Sequence, residues 1–237
     1  MATSGTYLWN PELADMVDEA FERCWVDPAT LVHRHVMSAR RSINYMLADW
    51  AARSFSDFRI ERVELALVED QQQYPLSGVD DFYALDILNI VLRRNGVDTP
   101  LLQMSRSEWL EIPTKTYKGR PDRYFVDKQR DFLLLEIWPI AENSTDVLVY
   151  DRVRRYQDAD HAAQNPDIPY YLREAFVSGL AARLATKGYT PPEREAGLMM
   201  MAEDALRRGM GASMGNEDVR IRPGSGRRSH VSRGRIG

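Results

Sequence analysis

Residues 27–54 read DPATLVHRHVMSARRSINYMLADWAARS. Asp27 followed by Pro28 marks a helix start, because a carboxylate there accepts a bond from a free backbone N–H and proline supplies the first helical φ. Leu31, Val32, His35, Ala39, Ile43, Met46, Leu47 and Trp50 then recur at three- and four-residue steps. At 3.6 residues per turn they cover one broad face of a helix roughly 40 Å long. Arg34, Arg40, Arg41 and Asn44 fall on the other side. The pattern predicts the central pillar of a helical bundle, with no catalytic motif on it.

Before this stretch, Asn10-Pro11 repeats the cap-then-proline signal after Trp9. Leu13, Met16, Val17, Ala20, Phe21 and Cys24 form one stripe, while Glu12, Asp15, Asp18, Glu19 and Glu22 face outward. This predicts a first amphipathic helix ending near Trp25, its acids near the N-terminus where the helix dipole favours them. Cys24 is the only cysteine, which excludes an internal disulfide and a multi-cysteine zinc site; it reads as a small core residue.

After Phe55 the period changes to that of strands. Phe58 and Ile60, then Val63, Leu65 and Leu67, alternate with polar residues, and the break between the sets suggests a bulge. Leu85 to Leu92 read as a mostly buried strand, Asn95-Gly96 as a two-residue hairpin turn, and Thr99 to Met104 as the returning strand. Ser105 with Glu108 forms a capping box for a short turn around Trp109 and Leu110. Arg123 to Val126, Phe132 to Trp138 and Asp146 to Val153 are further strands. Together they predict an antiparallel meander closing into a small sandwich or barrel.

Helical period returns after Pro166. Pro169 opens a helix with Leu172, Ala175, Phe176, Gly179 and Leu180 on one face, Gly179 permitting close approach and Arg183 snorkelling from the apolar arc. Gly188 ends it. Thr190, Pro191 and Glu193 supply the next N-cap, first-position proline and capping box; Leu198, Met201, Ala202, Ala205 and Leu206 continue as a stripe to Gly209. The expected fold is α+β: a four-helix bundle made from N- and C-terminal helical pairs, with an inserted small antiparallel β-sandwich or barrel and a flexible C-terminal tail. The corresponding ranges are 1–56, 57–156, 157–210 and 211–237.

The chain has 237 residues, 44% hydrophobic and 28% charged, enough to bury a sizeable core. No apolar run reaches membrane-span length and the first residues lack a signal pattern, so synthesis in a cytosol is expected. The net charge of −4 is unevenly spread. After Asp218 come six arginines and no acid, leaving 25 basic against 35 acidic residues before them. The body thus carries −10 and the tail +6, and the two are expected to meet different surroundings. The Gly-, Ser- and Arg-rich composition from Gly209 onward predicts a segment that orders only on a partner.

Candidate chemistry is sparse. His33 and His35 point about 200° apart on a helix and cannot share an ion, so they read as an exposed and a core-edge histidine. Gly211-Ala212-Ser213-Met214-Gly215 matches the nucleophile elbow in letters but lacks the strand that must precede it. Asp80 with Asp81, Asp158 and Asp160 with His161, and Glu193 with Glu195 read as loop solvation and turn chemistry. Met199-Met200-Met201 reads as core and helix filler, a yielding contact surface being the other use of a methionine cluster. No phosphate-binding glycine loop or metalloprotease motif is present. Neither a catalytic residue, a cofactor nor a metal ligand is therefore expected.

The order of short motifs resembles a known family. Trp9-Asn10-Pro11-Glu12-Leu13, the helix with Ala39, Asn44 and Leu47, Ser105-Arg106-Ser107-Glu108-Trp109 and Gly119-Arg120-Pro121-Asp122-Arg123-Tyr124 are similar to segments of the head-to-tail adaptor proteins of short-tailed double-stranded-DNA bacteriophages. These are also called connector, head-completion or tail tubular A-type proteins. Leu135-Glu136-Ile137-Trp138-Pro139, Ile168-Pro169, Gly179-Leu180-Ala181 and Leu184-Ala185 complete the pattern. The resemblance implies a virion structural protein in a ring of about twelve copies. Such a ring sits beneath the portal, joins it to the tail nozzle protein and lines the channel through which DNA is retained and ejected. It also implies assembly in the host cytoplasm and a portal-docking tail, here Arg220, Ile221, Arg222, Arg227, Arg228, Arg233 and Arg235. Two other readings are a nucleic-acid-binding accessory protein acting through the arginine tail, whose affinity would fall steeply with salt, and a hydrolase built on Ser213 or on an Asp/His cluster.

Overall fold

A computed structural model describes residues 5–53, 57–76, 84–130 and 132–213. Within them the chain is α+β, with five α-helices and several sheets. Helix α1 spans Leu13–Arg23. Its cap lies two residues beyond the expected Asn10: the Glu12 backbone N–H donates to the Asp15 carboxylate at 3.3 Å. The predicted stripe is buried, and Cys24 follows it into the core, its thiol donating to the Ala181 carbonyl at 3.3 Å.

The long helix expected from Asp27 is broken. Asp27 does cap, accepting from the Ala29 N–H at 2.9 Å, but Pro28–Thr30 make only a single 3₁₀ turn. The Thr30 hydroxyl donates back to the Asp27 carbonyl and the Leu31 N–H to that of Pro28, closing the turn on itself. Such local bonds compete with helix propagation. Leu31 and Val32 are extended, and α2 runs His33–Ala52, twenty residues and about 30 Å. Its buried face is the predicted one from Ala39 through Trp50, joined by Ser38 and Ser42.

Nor is α2 the pillar. That place belongs to α4, Arg173–Leu184, which packs against α1, α2 and also α5, Pro192–Ser213. Ala175, Phe176, Val177, Leu180, Ala181 and Leu184 are buried around most of its circumference, as befits a helix enclosed by others. Residues 13–50 and 172–206 thereby share one core. Two glycines permit the closest approaches. A Cβ on Gly179 would sit 2.7 Å from Met46 Sδ; one on Gly209 would sit 2.5 Å from Leu172 Cδ2 and 3.3 Å from the Tyr171 carbonyl. Gly209 is thus a packing residue and not a helix end. Gly188, at φ 83°, does end the segment after α4. Thr190 does not cap α5: the helix starts at Pro192, and the Thr190 hydroxyl is buried without a partner among the described residues. With prolines at 191 and 192, the second takes the first helical position and the Pro191 carbonyl accepts from the Arg194 N–H at 3.0 Å. Arg183 reaches Asp49 at 3.4 Å from the edge of the core, as snorkelling requires.

Strands β1 (Ile60–Ala66), β10 (Val147–Arg154), β3 (Ala84–Arg94) and β4 (Val97–Pro100) form one sheet in that order. A second runs β2 (Gln73–Leu76), β8 (Leu133–Trp138), β7 (Arg123–Lys128) and β5 (Leu102–Gln103), and β6 (Lys118–Gly119) pairs β9 (Ile140–Ala141). Sequential strands are mostly not neighbours, so this is not a meander. The expected bulge in β1 is absent, its register with β10 being continuous; the shifts lie instead between β10 and β3, at Asp151/Arg152 and Val153/Arg154. Asn95 and Gly96 both have positive φ, 52° and 76°, as the hairpin turn requires. The returning strand splits after Pro100: the Leu101 N–H still donates to the Ile90 carbonyl of β3 at 3.0 Å, whereas the next residue, Leu102, donates to the Asp122 carbonyl and β5 joins the other sheet parallel to β7. Leu92 and Leu148 from one sheet and Leu135 and Ile137 from the other are fully buried in a common core. The capping box forms as read, Ser105 N–H to Glu108 at 2.7 Å, opening α3, Arg106–Glu111. No helix among the described residues is long and apolar enough to cross a membrane.

Candidate docking surfaces

The tail residues Arg220, Ile221, Arg222, Arg227, Arg228, Arg233 and Arg235 lie outside the described residues, as do Asp80 and Asp81. What is placed is the point from which the tail departs. Helix α5 is described as far as Ser213, and one turn earlier Gly209 rests on Tyr171 and Leu172 at the entrance to α4.

That entrance forms one wall of a groove of roughly 600 Å³, whose other wall is α1. Arg173 organises it. Its guanidinium lies 5.4 Å from the Trp9 ring and 5.3 Å from the Tyr170 ring, and it donates to the Trp9 carbonyl and, at 2.7 Å, to Asn10 Oδ1. The rings themselves stay open to solvent, 69% and 75% exposed. Deeper in, Arg23 grips Glu174 through two bonds of 2.7 and 3.0 Å and also reaches Glu19 at 2.8 Å. The Arg23 bond holds the Glu174 carboxyl below the usual carboxylate range. Glu12, Asp15, Asp18, Glu19 and Glu22 are all exposed along α1, against a single base, Arg23. The open face of α1 is therefore acidic, while the groove's own lining sets Asp15, Glu19 and Glu174 against Arg23 and Arg173, with aromatic rings at one end.

A second constellation joins the helices to the sheets. Arg59, fully buried, lies 4.8 Å above the Tyr156 ring and donates to the Arg154 carbonyl at 3.3 Å; burial lowers its pKa. Arg154 binds Asp167 at 2.9 Å and Glu61 at 2.8 Å while covering the Phe58 ring at 5.6 Å. It thereby ties β1 and β10 to the segment that leads into α4. Lys187, after α4, makes a third tie, donating to the Ser38 carbonyl at 3.1 Å and to the Ser38 and Ser42 hydroxyls at 3.0 and 2.5 Å; burial, then Arg41 and Arg183, lowers its pKa.

The remaining candidates are scattered. His33 is exposed; His35 is half-buried, its ring 6.3 Å from Phe21 and 5.4 Å from Tyr189, and its Nδ1 accepts from the Val32 N–H at 3.3 Å. Asp160 pairs with Arg40 and lies 3.2 Å from His161. Asp158 is exposed in the same loop. Arg40 and Asn44, read as facing away from the core, instead clasp that loop: both donate to the Ala159 carbonyl, and its N–H donates back to Asn44 Oδ1 at 2.9 Å. Glu193 and Glu195 stand in the first turn of α5. Met199, Met200 and Met201 are not core filler but 43%, 75% and 54% exposed, because three successive helical residues fan around the axis and Leu198 takes the inward position. Burial pushes the Cys24 thiol up to about 11. Gly211 to Ser213 continue α5, so helix and not strand precedes Ser213, as expected; Met214 and Gly215 lie outside the described residues. Among the described residues, no three His, Cys, Asp or Glu side chains gather closely enough to hold a metal ion.

The groove went unread in the sequence because its partners are 163 and 164 residues apart. The one visible signal was the run of aromatics around each proline, Tyr7 to Trp9 before Pro11 and Tyr170 with Tyr171 after Pro169. No curated protein matches the chain. A family model described as SU10 adaptor protein matches residues 13–229, from the start of α1 into the arginine tail. The chain belongs to the SU10 adaptor protein family and is a phage adaptor protein.

Proposed function

We propose that this protein forms a ring between the portal and the tail nozzle of a virion, about twelve copies closing the ring. In this reading, residues 1–56 and 157–210 are the two halves of a four-helix bundle, 57–156 an inserted, mostly antiparallel β-sandwich or barrel and 211–237 a basic arm. Arg220, Ile221, Arg222, Arg227, Arg228, Arg233 and Arg235 grip the portal. Packaged double-stranded DNA is retained above the ring and leaves through its lumen, and the acidic body keeps the DNA from adhering by like-charge repulsion. The protein acts as a structural part and not as an enzyme, assembling in the host cytoplasm and ending in the virion neck.

The observation that carries this reading is the family match over residues 13–229, which takes in the helical core, the sheets and most of the tail as one unit. Support also comes from the way the helical halves share a core while Arg59 and Arg154 tie the sheets to it, giving a stiff body suited to bearing load. Quantitative mass spectrometry of purified particles tests it. The expected result is this chain at about the copy number of the portal; particles without it contradict the reading. The arginine tail also favours a nucleic-acid-binding role, which predicts duplex binding at low salt that disappears when residues after Asp218 are removed.

A further inference from the structure

We infer that the groove between α1 and the entrance to α4 is a berth for this chain's own arginine tail, occupied before the protein meets a partner. Three observations converge. The tail departs from Ser213, one turn after Gly209 touches Tyr171, and Tyr171 lines the groove. Six residues separate Ser213 from Arg220, a span over which an extended chain covers about 23 Å, whereas α1 is about 16 Å long. The first two arginines are therefore within reach of the end of the groove at Tyr171.

The charges match. Glu12 to Arg23 carries five acids against one arginine, all five acids exposed, and after Asp218 the chain carries six arginines and no acid. The groove also accepts a guanidinium already. Arg173 lies within 5.4 Å of both the Trp9 and Tyr170 rings, and the rings' outer surfaces remain open for a second arginine to stack. A cationic, arginine-rich peptide is the ligand this combination of carboxylates and aromatic faces recognises, and the nearest one belongs to the same chain.

The consequence rests on the proposed function: arginines held in the berth are not free to grip a portal, so docking elsewhere must compete with α1. The berth itself is testable on the isolated full-length protein, without a portal. Cys24 is buried with its thiol pKa pushed up to about 11, so a spin label on S229C goes to the tail. The readout is paramagnetic broadening of the Trp9 indole N–H signal, with Trp109 in α3 as internal reference. At low salt Trp9 is expected to broaden at least fivefold more than Trp109, independent of protein concentration. Asp18→Lys with Glu22→Lys, two exposed positions, is expected to bring the ratio to about one. Raising salt on the unsubstituted face is expected to do the same, so misfolding of the double variant cannot decide the matter. Equal broadening of Trp9 and Trp109 at low salt overturns the berth. Broadening that grows with concentration assigns the groove to the tail of a second copy and overturns the intramolecular version.

Discussion

Where α4 crosses α2, a Cβ on Gly179 would sit 2.7 Å from Met46 Sδ; where β3 meets the segment before β10, Arg94 closes on Asp146 at 2.6 to 3.0 Å. The helical region is assembled by shape, with small residues letting backbones approach around α4. The sheet region is laced at its surface by arginine–carboxylate pairs: Arg62 with Asp151, Arg93 with Glu64 and Asp98, Arg94 with Glu142 as well as Asp146. The contrast teaches where each region is vulnerable. Added volume should damage the helices, while lost charge should matter in the sheets only where the pair is shielded from water.

The largest effect is expected at Asp146, whose side chain is 1% exposed. Asp146→Ala leaves Arg94 without its main acceptor and is expected to cost about 3 kcal/mol in urea unfolding. A loss no greater than that of a surface pair removes the distinction between shielded and open pairs. Gly209→Val forces a branched side chain against Leu172 and the Tyr171 carbonyl, which as backbone cannot move aside. About 2 kcal/mol is expected, read from the same denaturation curves. Gly179→Ala meets only the flexible end of Met46, so about 1 kcal/mol is expected; equality of the two glycine variants breaks the backbone argument. Arg62→Ala removes a pair on an exposed arginine and is expected to leave the thermal midpoint unchanged.

One prediction concerns acid. Because Arg23 lowers the Glu174 pKa, the carboxylate contributes stability that is fully present above the ordinary carboxylate value and is lost as pH falls through its depressed folded-state value. Glu174→Gln is therefore expected to flatten the decline of the urea midpoint below about pH 4.5. An unchanged acid limb removes the Arg23–Glu174 pair as a stabilising contact.

What was legible in the sequence was local. The α1 stripe, the buried Cys24, the Asn95-Gly96 turn, the Ser105/Glu108 box and the close approach at Gly179 each rest on residues a few positions apart or on one residue's special geometry. The break at Thr30 was not, because Asp27-Pro28 signals a start equally well for one 3₁₀ turn and for a long helix. Nor was β2, where Pro75 argues against a strand until its place on a sheet edge is known. The central role of α4 was hidden for the opposite reason. A helix buried on most sides has no polar face to set its stripe in relief, so the more amphipathic α2 drew the attention. The groove beside α1 needs Trp9 and Arg173 brought together across most of the chain, which no periodicity encodes.

The most direct test of the account is imaging the protein with purified portal rings. The full chain is expected to add a coaxial ring to each portal, and a chain ending at Asp218 to remain free under the same conditions. A full chain that never joins the portal, or a truncated one that joins it equally well, contradicts the account.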